Sequence, residues 1–79
     1  MYEAHGRTLQ LGGLYRHFKN HRMRYKVLMT AKHSETEETM VIYTQLYGDG
    51  TTWARPLEVF LDTVERDGYT GYRFTLLDS

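Results

Sequence analysis

From Gly13 onward the chain mostly alternates between apolar and polar residues, and a two-residue period predicts strands rather than helices. Leu14 to Lys19 sets Leu14 and Phe18 on one face and Tyr15 and His17 on the other. Arg24 to Lys32 alternates more cleanly, with Tyr25, Val27, Met29 and Ala31 facing one way and Lys26, Thr30 and Lys32 the other. Leu28 is the apolar exception on that polar side. Thr39 to Tyr47 is β-branched and aromatic on both faces, which predicts the central, most buried strand. Thr51 to Arg55 returns as a short strand, and Gly71 to Leu77 closes the chain with Tyr72, Phe74 and Leu76 on one face.

The breaks are polar or glycine-rich. Asn20–Met23, His33–Glu38, Gly48-Asp49-Gly50 and Asp67-Gly68 read as turns. Pro56 stops strand pairing because it lacks an amide proton, and it suits the first turn of a helix. Leu57, Phe60, Leu61 and Val64 then fall at helical spacing and predict a short helix or 3₁₀ segment. The sum is an all-β chain of five short strands with one helical insertion before the last. A chain this short must curl such a sheet to bury a face and limit its open edges, so the expected fold is a small five-stranded SH3-like barrel. Residues 13–79 form that single domain, preceded by a poorly ordered segment, 1–12, of mixed polarity.

Composition narrows the function classes. Seventy-nine residues without a cysteine exclude disulfide staples, thiolate metal sites and a cysteine nucleophile, and they favour a cytoplasmic setting. No apolar run approaches a membrane span, so no membrane partner is expected. The formal net charge of +0 conceals a split. Residues 1–33 hold seven Lys/Arg against Glu3, whereas residues 34–79 hold three Arg against nine acids. Opposed halves either neutralise one another in the fold or offer a basic face to an anionic partner.

The basic run from Arg16 to Lys26 interleaves cations with Phe18 and Tyr25. Cations attract phosphates and exposed aromatic rings stack on bases, which suits a nucleic-acid strand. The competing reading keeps both rings in the core and pairs the cations with Glu35, Glu37, Glu38 or Asp62. Trp53 and Arg55 share one strand face beyond the Gly48–Gly50 turn, with Tyr15 and Tyr43 as candidates to join them. Tyr, Trp and Arg together make a typical binding hot spot. The alternative is a core Trp53 with Arg55 paired to Glu35 or Glu58.

His33 and Glu35 suggest a base and its orienting carboxylate, although equally they can hold the turn in which they lie. His33-x-Glu35 with His17 as a second histidine could hold zinc, but the four-residue step from His17 to His21 aligns ligands on a helix and not on a strand and no third strong ligand stands in a fixed relation, so no metal or other cofactor is expected.

Three segments in order resemble the bacterial domain-of-unknown-function 1653 family. They are Gly13-Leu14-Tyr15-Arg16-His17-Phe18-Lys19, then Ala31-Lys32-His33-Ser34-Glu35-Thr36, then Val41-Ile42-Tyr43 through Leu46-Tyr47-Gly48 to Trp53-Ala54-Arg55-Pro56-Leu57 and Phe60. The resemblance implies a compact SH3-type barrel and assigns no activity. The basic turn Asn20–Arg24 and Lys32 depart from the family pattern.

The functional expectation is a non-catalytic binding module whose groove is lined by Tyr15, His17, Lys19, His33, Glu35, Tyr43, Trp53 and Arg55, taking a peptide, a nucleotide or a single-stranded nucleic acid. The alternatives are a small enzyme using His33 and Glu35, or a purely structural domain. A monomer or weak dimer is expected.

Overall fold

In the computed structural model the described residues run from Tyr2 to Leu77, without the side chain of His21. Asp78, one of the nine acids counted above, and the side chain of His21 therefore lie outside the described residues. Strands β1 (Glu3–Ala4) and β2 (Arg7–Thr8) form a hairpin, followed by β3 (Leu14–His17), β4 (Asn20–Lys32), β5 (Thr39–Gln45) and β6 (Thr52–Pro56). Helix α1 (Leu57–Phe60) leads to a second hairpin of β7 (Thr63–Arg66) and β8 (Tyr69–Tyr72), and β9 (Phe74–Leu76) ends the sheet. The chain is all-β with one short helix, as the alternation predicts.

The main sheet is antiparallel throughout, in the order β6-β5-β4-β3-β9. Among the described residues no ladder joins β6 to β9, so the sheet curls without closing into a barrel. The centre is β4, not β5 as its two apolar faces suggest. With 13 residues, β4 pairs with both neighbours, and two register shifts bend it.

The second shift explains a misread face. Val27 pairs with Tyr43 but Met29 pairs with Ile42, leaving Leu28 as the extra residue of a bulge. Tyr25 and Val27 point inward, and after the bulge the phase reverses: Thr30 opposes the buried Val41 while Met29 and Ala31 are exposed. On β3 the inward residues are Tyr15 and His17, so Leu14 and Arg16 face out.

The core is largely aromatic. Phe60 and Phe74 stack with ring centroids 4.3 Å apart, and Tyr15 meets Phe60 edge-on at 5.1 Å. Such pairs add about 1 kcal/mol each to the area they bury. Pro56 precedes α1, which carries Phe60 and the adjoining Leu61 into this cluster. The apolar stripe does not continue to Val64, because the helix ends at Phe60 and Val64 belongs to β7. The final apolar run is also divided. Tyr72 closes the β7–β8 hairpin, Arg73 bonds Asp62 across 2.8 Å, and only Phe74 of the expected face is buried.

Residues 3–8, within the segment expected to be poorly ordered, form the β1–β2 hairpin, with His5 (φ 53°) and Gly6 (φ 73°) supplying a left-handed turn. Leu9 enters the core, and the Arg7 guanidinium donates to the Leu61 and Phe74 carbonyls at 3.1 and 2.8 Å. Among the described residues no helix is long and apolar enough to cross a membrane.

Candidate functional site

Pairing places alternate residues of five strands on the concave side of the sheet. Across the ladders Tyr25 faces Gln45, Tyr43 faces Trp53, and His17 faces Phe74. With Lys19, Met23, Tyr47 and Arg55 these residues surround an open cavity of about 270 Å³. Its wall is largely aromatic, and among the described residues its charged members are Lys19 and Arg55, with no carboxylate lining it.

Hydrogen bonds hold the wall in shape. Gln45 accepts the Trp53 indole N–H at 2.8 Å and, through its amide nitrogen, donates to the Asp49 carboxylate at 3.0 Å and the Tyr47 carbonyl at 3.2 Å. The Gly48-Asp49-Gly50 turn thus helps orient the indole: Gly48 (φ 60°) and Gly50 (φ 70°) take left-handed angles that glycine adopts freely. Hydrogen bonds from Thr51 to Asp49 hold that carboxyl below its usual range. Trp53 remains 51% exposed, its ring forming the rim of the cavity.

Arg55, two residues along β6 from Trp53, is half-buried in the same wall. Its Nε donates to the Tyr43 hydroxyl at 3.2 Å, and the guanidinium carbon lies 5.5 Å from the Phe74 centroid. The ion pair among the described residues is Arg73–Asp62, so Arg55 meets neither Glu35 nor Glu58. A half-buried guanidinium beside aromatic rings, without a carboxylate, leaves its terminal nitrogens available for an anion.

His17 occupies the floor. Its Nδ1 accepts the Lys19 backbone N–H at 3.2 Å, so the ring is neutral and carries its proton on Nε2. Burial, reinforced by Arg55, Lys19 and Arg73, lowers its pKa from 6.5 to about 4. Tyr25 and Tyr47 share a hydroxyl–hydroxyl bond of 2.7 Å, and burial together with that bond raises the Tyr25 pKa.

The structure brings together five of the sequence candidates: His17, Lys19, Tyr43, Trp53 and Arg55. It separates the other three. Tyr15 is 1% exposed and packs in the core, with its hydroxyl accepting the Gln10 amide at 3.1 Å. His33 lies in the β4–β5 turn, where Nδ1 accepts the amides of Glu35 and Thr36 at 3.2 and 3.3 Å. The nitrogen that a Glu35 carboxylate would orient is thereby engaged with the backbone, and Glu35 itself is exposed. Among the described residues no three His, Asp or Glu side chains are grouped to hold a metal.

Sequence reading misses Met23, Tyr25, Gln45, Tyr47 and Phe74 as lining residues. Gln45 had a signal, since it stands two residues beyond Tyr43 on the same strand face. Tyr25 and Phe74 had none, because they reach the cavity only through the register of non-local strands.

Comparison with known proteins adds the family. A family model described as a protein of unknown function (DUF1653) matches residues 13–76. A crystal structure of a DUF1653 protein from Bordetella bronchiseptica is similar, with 32% identity, a TM-score of 0.72, and coverage of 84% of this chain and 85% of that one. No curated protein matches.

Proposed function

The chain belongs to the DUF1653 family, and we propose that it is a non-catalytic binding module whose concave pocket takes a planar ring bearing an anionic group. The observation that carries this reading is Arg55: half-buried, held at Nε by Tyr43, and without a carboxylate among its pocket neighbours. The ring of such a ligand stacks against Trp53, and its anion meets Arg55 and Lys19. A cavity of about 270 Å³ suits one such group better than a long strand of polymer. A nucleoside monophosphate is the reference ligand, because it joins both features.

The chemistry supports binding over catalysis. A histidine with a pKa near 4 is a weak base at neutral pH, and His33 spends Nδ1 on its own turn. We also read the curled sheet, with its twice-shifted β4, as an SH3-like barrel left open between β6 and β9. The lack of cysteine supports a cytoplasmic setting.

The test is titration of Trp53 fluorescence with adenosine and uridine monophosphates, using the unaltered chain and Arg55→Gln. Saturable change in the first, weakened at least tenfold in the second, is expected for loss of a charge-assisted contact of about 1.5–3 kcal/mol. Equal responses from both proteins, or no response at millimolar nucleotide, overturn the reading.

A further inference from the structure

The convex side of the same sheet carries a second feature, independent of the pocket. Arg16 and Arg24 are directly opposite across the β3–β4 ladder, where like charges repel. The outward row through them continues to Thr75 on β9. The next row runs through Leu14, Lys26, Thr44 and Thr52. Neither row contains a carboxylate. Arg22, in the bulged part of β4, is exposed at the same end of the sheet.

The acidic half does not neutralise this face. Glu35, Glu37 and Glu38 stand in the turn beyond the far end of β4, and Asp62 is engaged by Arg73. Glu65 and Asp67 belong to the separate β7–β8 hairpin and its turn. Asp49 is bonded to Gln45 and Thr51 in its own turn and Glu58 lies in α1, so among the described residues Arg16, Arg22, Arg24 and Lys26 make no ion pair with a carboxylate.

We propose that the convex face of β3 and β4 binds the phosphate backbone of a nucleic acid. Charge complementarity identifies the partner. Arg24 and Lys26 are two residues apart on one strand and so project about 6.8 Å from each other, which suits successive phosphates on an extended strand. A partner neutralising several cations on this face also relieves the Arg16–Arg24 repulsion, which the folded protein bears when free.

The experiment is fluorescence anisotropy of a labelled twenty-nucleotide oligothymidylate with the whole chain, across 50–200 mM salt. Four cations on phosphates give a logarithmic salt slope of about −2.8 and roughly a 50-fold loss of affinity over that range. Replacing both Arg16→Gln and Arg24→Gln reduces the slope by about 1.4 and weakens binding roughly tenfold or more at low salt. The same double variant melts no lower than the parent, since it removes a like-charge pair, so misfolding does not mimic the result. The double variant leaves the Trp53 response to adenosine monophosphate unchanged, because neither arginine lines the pocket, which separates this face from it. Absence of binding at 50 mM salt, or an unchanged slope in the double variant, overturns the proposal. Equal or tighter binding to phosphatidylserine vesicles or to polyglutamate also overturns it, because the face would then select anions without regard to nucleic acid.

Discussion

His17 makes the stability of this protein depend on pH, and the size of the effect follows from its surroundings. Burial, then Arg55, Lys19 and Arg73, lower its folded pKa to about 4 from an ordinary value of 6.5. The unfolded chain therefore binds a proton between those limits while the folded chain does not. Stability due to this group is complete above pH 6.5 and falls as pH drops towards 4. Between pH 7.5 and 5 the loss is about 2 kcal/mol, and it approaches 3 kcal/mol at lower pH. Protonation also ends the Nδ1 hydrogen bond from the Lys19 amide.

Urea unfolding at pH 7.5 and 5.0 measures the loss, with His17→Asn as the reference because asparagine offers an acceptor near Nδ1 but does not titrate. The carboxylates act alike in both proteins, so the difference isolates His17. A pH dependence of equal size in the variant refutes the argument. So does a His17 ring proton that titrates near 6.5 in the folded protein.

Three further outcomes follow from the packing. Trp53, half exposed on the pocket rim, is quenched by iodide; a blue-shifted, unquenched emission contradicts its placement. Phe74→Ala removes the ring that stacks on Phe60 and meets Tyr25, Tyr43 and His17, and costs about 3–5 kcal/mol in chemical unfolding, enough to unfold much of a domain this small. His33→Ala leaves two turn amides without their acceptor and costs about 1 kcal/mol, with Trp53 ligand responses unchanged; loss of those responses contradicts the structural role given to this histidine.

Much of the sheet was legible because alternation is local. The turns at His33–Glu38 and Gly48–Gly50 and the start of α1 at Pro56 follow from residue chemistry alone. The inward face of β4 was legible only as far as Val27. Leu28 broke the alternation and was the visible trace of the bulge, but a period of two cannot say on which side of it the phase reverses. The N-terminal hairpin was hidden because its anchors are distant: Leu9 enters the core, and Arg7 bonds carbonyls of Leu61 and Phe74.

The pocket shows the same division. Trp53, Arg55 and Tyr43 were recognisable as a hot-spot composition, and the β5–β6 ladder joins them. His33 and Glu35 are adjacent in sequence, and that adjacency serves a turn. Opposition of the charged halves was visible at once. That Arg16, Arg24 and Lys26 make no ion pair depends on register, because β3 and β4 hold these cations on one face while the described acids of the second half lie in turns, in and beside α1 and in the β7–β8 hairpin.

The most direct test of the pocket is the ¹⁵N spectrum of the labelled chain titrated with adenosine monophosphate. The account predicts saturable shifts at His17, Lys19, Tyr43, Gln45 and Arg55 and at the Trp53 indole, with the convex Arg24 and Lys26 amides moving little. A spectrum that stays unchanged at millimolar ligand, or that moves only on the convex face, contradicts it.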